Sequence, residues 1–270
     1  MNPLVRILAS SRVFPVTGMV AALAQSSDAA ITIQSYWGLG EGGIGTDGSS
    51  VNDGKANNFN NISANTTTQT ATPSGVNGST AYTHTVGGTM EGIWMFGAGS
   101  NSQTVPADDW GLQFMVRSTA TIASGFRAVF GMAEGVSGGL VIEAANTGGT
   151  VYWDVNKQGV ANYIIPRNAT TTVTTNAWTA LALVKSGGTI SFYVDGVLAG
   201  SNSGAINTSG LFAFGLQQNV GTGGFAGDFD EASFFTFSPG AFNAATDLIP
   251  ESSAALLGSL SLLGLLRRRR

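Results

Sequence analysis

The middle of the chain is built from short runs of β-branched and aromatic residues that are separated by clusters of Gly, Asn and Ser. From Val151 to Val155, apolar side chains occupy every second position, which is the period of a strand with one buried face. We therefore expect Trp153, at the centre of this run, to lie in a core. Similar runs predict strands at 31–41, 109–117, 126–131, 139–144, 211–215 and 225–235. Strands of this length and spacing predict an antiparallel all-β sandwich of two sheets.

The segment from Asn176 to Ser201 has the most regular pattern. Its apolar runs are separated by residues 186–189 and by Asp195-Gly196, so the segment predicts a meander of three strands. Asp-Gly between two apolar strands is typical of a two-residue hairpin loop, because both residues tolerate positive φ. We therefore interpret Asp195 as a turn residue and not as a catalytic one.

The composition agrees with a β-rich domain. With 38 Gly, 7 Pro and 10% charged residues, the chain is poor in the Glu, Lys and Arg that cover exposed helix faces. It has no cysteine, so a disulfide framework and a Cys-ligated metal site are excluded. The single histidine, His84, excludes a multi-histidine metal site, and we assign it no role.

The formal charge of −4 is unevenly distributed, because six of the twelve basic residues lie in the two terminal segments. Between Ile31 and Ile249, six Lys and Arg stand against fourteen Asp and Glu, which gives a net charge of −8. An acidic interior disfavours a nucleic-acid partner. Divalent cations or neutral glycans suit such a domain better.

Residues 1–30 have the order of a secretory signal peptide. Basic residues come first, an apolar stretch follows at 13–23, and small residues then permit cleavage after Ala24 or Ala30. The alternative is a disordered N-terminus or a first helix. The signal peptide hypothesis predicts an exported protein whose folded domain spans residues 31–247.

The other end of the chain consists of an apolar stretch, residues 253–266, followed directly by Arg267, Arg268, Arg269 and Arg270. As a helix, this stretch would reach roughly 21 Å, which is short of the ~30 Å hydrocarbon core of a bilayer. It predicts a short transmembrane helix whose arginines stay on the cytoplasmic side. An amphipathic surface helix is the alternative, but the stretch has no polar face.

Pro250 and Glu251 stand just before this apolar stretch. The order of Pro-Glu, apolar segment and arginine cluster at residues 248–270 resembles the PEP-CTERM sorting tail of exopolysaccharide-producing Gram-negative bacteria. The resemblance implies recognition and cleavage by a membrane exosortase after transient anchoring in the membrane. Ser252 stands where the motif usually has its second proline. The predicted location is the cell envelope, the cell surface or the extracellular matrix of such a bacterium.

Three blocks of the interior resemble LamG-like, concanavalin A-like jelly rolls: Tyr-Trp-x-Leu-Gly-Glu at 36–41, the run from Trp-x-x-Leu-x-Leu-Val-Lys to Tyr-Val-Asp-Gly at 178–196, and Phe-x-Gly-x-Phe-Asp-Glu-Ala at 225–232. The resemblance implies a jelly-roll sandwich with Trp37 and Trp178 in its core. The family includes glycan-binding modules, calcium-dependent adhesion domains and β-glucanases, so the fold alone does not decide the function.

The β-glucanases of this family carry Glu-x-Asp-x-Glu on one strand. The nearest segment here, Asp228 to Ala232, has carboxylates at its first and third positions and alanine at its fifth. A retaining glycosidase needs two carboxyl groups about 5–5.5 Å apart, and the other strand carboxylates, Glu134 and Glu143, are isolated in the sequence. We therefore expect no catalytic residues and no hydrolase activity.

Calcium binding is a further hypothesis, because Gly- and Asp-rich loops supply the oxygen ligands that Ca2+ prefers and similar sandwiches often carry this ion. Asp230 is the first candidate ligand, and Asp228, Asp47 and Asp53 are the others. The alternative is that these carboxylates cap turns or face solvent.

A polysaccharide or cell-surface glycan is the expected partner. Glycan recognition needs exposed aromatic rings beside hydrogen-bonding groups, and Trp94 and Trp110 are the candidates for such a surface. The alternative is a purely structural surface or matrix protein without a discrete ligand site. The sequence thus predicts an exported, noncatalytic protein whose LamG-like domain binds carbohydrate.

Overall fold

The computed structural model describes residues 31–37, 61–62, 67–69, 82–84, 93–96, 105–134, 137–159, 165, 168–208, 211–215 and 225–248. The strands in these ranges form two antiparallel sheets, and a single turn of helix, α1 (Ala244–Asp247), follows the last strand. The predicted all-β, jelly-roll-like sandwich is therefore confirmed.

Sheet A contains eight strands. They are β1 (Thr32–Trp37), β3 (Thr67–Gln69), β4 (Tyr82–His84), β6 (Trp110–Ser118), β10 (Trp178–Ser186), β11 (Thr189–Val194), β12 (Val197–Ser203) and β14 (Gly227–Thr236). Their order is β12-β11-β10-β6-β14-β4-β3, and β1 pairs with β14. The predicted meander is β10 to β12, and it forms one edge of this sheet.

Sheet B contains six strands. They are β2 (Asn61–Ile62), β5 (Ile93–Phe96), β7 (Phe126–Glu134), β8 (Leu140–Thr147), β9 (Thr150–Lys157) and β13 (Leu211–Phe214). Their order is β2-β5-β13-β7-β8-β9, so the long strands β7, β8 and β9 are neighbours in sequence and in space. The structure confirms these three strands where the apolar runs predicted them.

The hairpin between β11 and β12 has the predicted loop. Asp195 and Gly196 have φ values of 51° and 76°, which are both positive as a type I′ turn requires. The Asp195 carboxylate also accepts a hydrogen bond of 2.8 Å from the N–H of Ala180. Asp195 thus forms the turn and ties it to β10.

The main core lies between the sheets, where the inward side chains of both meet. At its centre, Phe114 and Phe229 of sheet A contact Phe214 of sheet B, with ring centroids 5.1 and 5.5 Å apart. Trp153 of β9 is fully buried, which confirms that it belongs to the core. Because each buried aromatic side chain removes about 150–250 Å2 from water, this cluster dominates the stability of the sandwich.

A second apolar cluster covers one end of the outer face of sheet A, the face turned away from sheet B. The chain after β14 folds back, so that Phe237 and Leu248 pack with Phe235. Ile31, just before β1, joins the same cluster. The first and last described residues therefore meet here, and Leu248, one residue beyond the predicted domain end, packs in the folded domain.

Gly111 of β6 makes room for this cluster. It pairs in register with Phe235, and a Cβ atom on Gly111 would lie 2.1 Å from Cζ of the Phe235 ring. The ring can lie across β6 only because residue 111 has no side chain.

Residues 168–173 join the edges of the two sheets on one side of the sandwich. The N–H of Val173 donates to the carbonyl of Val151 on β9 at 2.9 Å. The side-chain amide of Asn168 donates to the carbonyl of Ala199 on β12 at 3.0 Å. Both strands stand at sheet edges, and a covering segment protects such edges from pairing with other chains.

Asp108 and Asp109 link the start of β6 to the β10–β11 hairpin. The Asp108 carboxylate accepts a 2.7 Å hydrogen bond from the N–H of Gly188, and that of Asp109 accepts one of 3.1 Å from the Ser186 hydroxyl. Partial burial by itself would raise the pKa of Asp108, but backbone hydrogen bonds and the nearby charge of Lys185 lower that pKa below its ordinary value.

Several predicted features fall outside the described residues. They are the signal peptide at 1–30, the loop that leads to Asp53, and the tail with its apolar segment at 253–266. In the described part of the chain, none of the helices has the length and apolar character needed to cross a membrane. The export and anchoring hypotheses stay predictions.

Candidate functional site

A row of three side chains crosses the outer face of sheet A, at the end away from the second cluster. Trp178 of β10 pairs in register with Arg117 of β6, and Arg117 pairs with Asp228 of β14. Leu181 on β10 and Phe229 on β14 face the core. Each is an odd number of positions from the row residue on its own strand. Since side chains alternate along a strand, all three residues of the row point outward. We call Trp178, Arg117 and Asp228 the Trp-Arg-Asp row.

Two contacts of the Arg117 guanidinium hold the row together. Cζ of Arg117 lies 4.8 Å from the centroid of the Trp178 ring, within the range of a cation–π interaction. Nε of Arg117 donates to Oδ2 of Asp228 at 2.8 Å, and Nη2 donates to the same oxygen. This charge-assisted pair fixes the guanidinium, and the guanidinium in turn fixes the indole ring.

Part of the row remains accessible. The Arg117 side chain is 22% exposed and that of Asp228 is 4% exposed, while Trp178 is half-buried. The pairing of β11 with β10 begins only at Leu181. In the described part of sheet A, no strand lies beside Trp178 on the side away from Arg117.

Arg117 also keeps an unused donor. Its Nε and Nη2 atoms are the donors to Asp228, and Nη1 makes no hydrogen bond with any residue that the structure describes. The row therefore presents a fixed aromatic ring beside a guanidinium donor, and both have exposed surface.

Polar residues border the row where β10 begins. Asn176 is exposed and has a φ of 64° in the left-handed region, and its N–H donates to the carbonyl of Ser118 at 2.8 Å. Thr174 and Thr175 are exposed as well. An amide and two hydroxyl groups thus lie near the ring of Trp178 along the chain, which is the mixture of groups found in many ligand sites.

A family model covers more than half of the chain, residues 96–241, and its description is the concanavalin A-like lectin/glucanases superfamily. The chain belongs to this superfamily. No curated protein sequence matches the chain at a significant level.

One solved structure with a similar fold is domain 4 of AbnA, a GH43 extracellular arabinanase from Geobacillus stearothermophilus, in complex with arabinotriose. Its TM-score is 0.52 at 16% identity, over 82% of this chain and 99% of that one. A Trypanosoma rangeli sialidase in complex with 2,3-difluorosialic acid has a TM-score of 0.45 at 12% identity, over 61% of this chain and 26% of the sialidase. Cellulose induced protein Cip1 has a TM-score of 0.41 at 14% identity, over 63% and 86% of the two chains. The similarity to the arabinanase domain shows a shared fold.

The concanavalin A-like sandwich places two tryptophans differently from the sequence prediction. Trp110, predicted at a glycan-binding surface, has 0% exposure and stacks on Phe234 with centroids 5.9 Å apart. A side chain without exposed surface cannot stack on a sugar, so that prediction was wrong. Trp178, predicted in the core, lies on the outer face instead. The alternation of side chains along each strand contained this information. Trp110 is two positions before the core residue Leu112 and so faces the same side, whereas Trp178 is three positions before the core residue Leu181 and so faces the opposite side.

Trp94 lies in β5, where its backbone pairs with Ala213 of β13. Its side chain falls outside the described part of the structure, as does that of Trp37. The glycan-binding role of Trp94 and the core position of Trp37 stay predictions.

The candidate calcium ligands do not form a complete site in the described ranges. Asp228 is paired with Arg117, whose charge opposes a second cation at the same carboxylate. Asp230 is fully buried, and its Oδ1 accepts a 2.9 Å hydrogen bond from the N–H of the next residue. Among the described residues, no group of three or more His, Cys, Asp or Glu could hold a metal ion. Asp47 and Asp53 lie outside these residues, and their role stays a prediction.

A β-bulge changes which residues follow Asp228 on the outer face of β14. The pairing with β6 shifts between Asp230 and Ser233, which marks one extra residue in β14. Glu231, at the bulge, has a φ of 51°, and Ala232 packs in the core. The third outward position is therefore Ser233, so this strand does not display the five-residue alternation of the family's glucanases.

Sheet B brings together two carboxylates that are distant in the sequence. Glu143 of β8 pairs in register with Asp154 of β9 on the outer face of the sheet, so a carboxylate that is isolated in the sequence has an acidic neighbour in the fold. The exposed fractions of the two residues are 1% and 0%. Nδ2 of Asn156 contacts Oε1 of Glu143 at 3.5 Å. Because both carboxylates are buried, they offer no contact to a glycan at the surface.

Proposed function

We propose that this protein is an exported, noncatalytic carbohydrate-binding protein of the cell surface or exopolysaccharide matrix, and that the Trp-Arg-Asp row is its glycan-binding site. The observation that carries the proposal is the partly exposed Trp178 ring held beside the guanidinium of Arg117. Membership of the superfamily supports it. The arabinanase domain with the same fold was solved in complex with arabinotriose.

The exposed part of the Trp178 indole that Arg117 does not cover would offer a sugar ring a surface for stacking. Sugar rings have an apolar C–H face, and a tryptophan side chain offers a large, rigid contact area with few rotatable bonds. Arg117 already lies over the Trp178 ring, and Asp228 anchors Arg117. This preorganisation lowers the entropic cost of binding.

Hydrogen-bonding groups around the ring suit sugar hydroxyls, which both donate and accept. Nη1 of Arg117 is a donor, and the exposed amide of Asn176 supplies both a donor and an acceptor. These groups would set the orientation of a sugar whose face contacts Trp178.

The noncatalytic part of the proposal is supported by the state of the carboxylates on β14. Oδ2 of Asp228 accepts hydrogen bonds from Arg117, and Ala232 is turned into the core. A glycoside hydrolase needs a second carboxyl group at a defined separation, and the outward position after Asp230 is Ser233.

The site is tested by replacing Trp178 with alanine. We expect at least about a tenfold loss of affinity for the bound glycan, which corresponds to about 1.4 kcal/mol, because the stacking surface is removed. The measurement is affinity electrophoresis against a panel of plant and bacterial polysaccharides, followed by calorimetry with the glycans that bind. Leu198→Ala is the matched control, since Leu198 is 52% exposed on the same face of sheet A but lies outside the row.

Equal affinity of the wild type and the Trp178→Ala variant would reject the row as the binding site. Binding of no glycan on the panel would favour a structural matrix protein. Steady release of reducing ends from any polysaccharide by the purified protein would contradict the noncatalytic assignment.

A further inference from the structure

We infer that the Trp-Arg-Asp row selects uncharged sugars and discriminates against uronates, sialic acids and sulfated sugars. The inference rests on the proposed glycan site and adds the chemical class of the ligand. It follows from how the charge of Arg117 is used, from the other charges on the same face, and from the charge of the domain.

The first support is the geometry of the guanidinium. Arginine recognises carboxylate and sulfate groups most strongly through paired N–H donors that point in the same direction. In the row, the Nε and Nη2 donors on one edge of Arg117 both contact Oδ2 of Asp228. That edge is occupied by a carboxylate of the protein itself. Nη1 and the second hydrogen of Nη2 remain, and because Asp228 already compensates their charge, they suit the neutral oxygen of a hydroxyl group.

The second support is the balance of charge on this face. Arg117 supplies the one positive charge of the row, and Asp228 compensates it. A sugar carboxylate at Trp178 would therefore approach a guanidinium whose charge is already compensated, so it would gain little attraction.

The third support is long-range. The segment from Ile31 to Ile249 has six basic and fourteen acidic residues, a net charge of −8. A polyanionic glycan would be repelled within the Debye length of about 8–10 Å at physiological ionic strength. A neutral polysaccharide has no such penalty, and its binding through stacking and neutral hydrogen bonds depends little on salt.

The test compares glycans that share a backbone and differ in charge, such as polygalacturonate and its methyl ester, and xylan with and without glucuronate branches. We add neutral arabinan, galactan, mannan and β-glucan. Binding is measured from about 0.05 M to about 0.5 M sodium chloride, a range over which exposed charge interactions are largely screened. We expect at least one neutral glycan to bind, with less than about a twofold change in affinity across this range.

A charge-neutralising variant gives a second, independent readout. Asp228→Asn removes the negative charge that compensates Arg117 and leaves only a neutral acceptor at its Nε–Nη2 edge. We expect this variant to bind anionic glycans more tightly than the wild type does, by about tenfold or more, and this gain should disappear at high salt. Its circular dichroism spectrum and Tm are compared with the wild type, and Arg117→Gln, which lacks the cation, should show no such gain.

The outcomes separate the two proposals. If the wild type binds an anionic glycan through Trp178 and loses that binding at high salt, the selectivity is overturned and the glycan site stands. If folded Asp228→Asn gains no affinity for anionic glycans, the role of the ion pair in selectivity is rejected. If every glycan binds equally well to the wild type and the Trp178→Ala variant, the proposed site itself fails.

Discussion

At the scale of single residues, Gly111 decides whether the second apolar cluster can form. The Phe235 ring lies so close to Gly111 that an added Cβ would stand 2.1 Å from Cζ. A strand in the middle of a sheet cannot move away easily, because it is paired on both sides. The ring would have to leave its position.

We therefore predict that Gly111→Ala destabilises the protein by about 1–3 kcal/mol, the usual cost of overpacking. The measurement is urea unfolding followed by circular dichroism, or the shift in Tm. The same substitution in a Phe235→Leu background should cost much less, since the atom that collides is gone. Equal costs in the two backgrounds would show that the clash is not the cause.

The tryptophans show what could be read from single residues and what could not. The alternation on β6 and β10 already placed Trp110 inward and Trp178 outward, relative to Leu112 and Leu181. Family resemblance pointed the other way for Trp178, and the local period was the better guide. The bulge at Glu231 could not be predicted from the sequence, because a bulge depends on how a strand pairs with its neighbour.

At the scale of elements, the contact between the start of β6 and the β10–β11 hairpin contains a titratable group. Burial alone would raise the pKa of Asp108, but hydrogen bonds from Gly188 and Asp109 and the charge of Lys185 lower it below the ordinary value of 3.8. A carboxyl group with a lowered pKa stabilises the folded state fully above its unfolded-state pKa. That contribution is lost as the pH falls below about 3.8 and through the folded-state pKa.

We predict that the free energy of unfolding falls less steeply with acid in Asp108→Asn than in the wild type. The difference should be confined to the region below about pH 4, where the wild-type carboxylate takes up a proton. Urea titrations at a series of pH values measure it. Leu198→Ala, a substitution at an exposed position without a titratable group, serves as the reference. Parallel pH profiles of the wild type and Asp108→Asn would contradict the assignment.

The positions of the strands could be predicted from the sequence, but the pairing between strands could not. Runs of β-branched and aromatic residues between turn signals predicted the strands of the meander and of β7 to β9. The contact between Glu143 and Asp154 requires the register of β8 with β9. Register is set by the buried faces and turns of the whole sandwich, so no local pattern contains it.

At the scale of the whole molecule, the outer face of sheet A is divided between two uses. The second cluster covers the end near Val184 and Phe235, and the Trp-Arg-Asp row lies at the other end. Val184 lies six positions after Trp178 on β10, which is about 20 Å along a strand. A sugar ring stacked on Trp178 would therefore not touch the residues that pack around Ile31 and Leu248.

The proposed export predicts the ends of the mature protein. Mass spectrometry of protein from its native cells should find a chain that begins after Ala24 or Ala30 and that lacks the arginine cluster at 267–270. If protein at the cell surface kept an intact tail, the hypothesis of exosortase processing would be rejected and simple membrane anchoring would remain. Retention of residues 1–30 would contradict the signal peptide.

The meeting of Ile31 and Leu248 in one cluster has a mechanical consequence. Consider a chain that is anchored beyond Leu248 while the Trp-Arg-Asp row binds a polymer. Tension then acts between the second cluster and the row, along the length of β10, β6 and β14. Tension in that direction shears the strands, so many backbone hydrogen bonds must break together instead of opening one after another. The sandwich would then resist force best in the direction in which an attached polymer pulls.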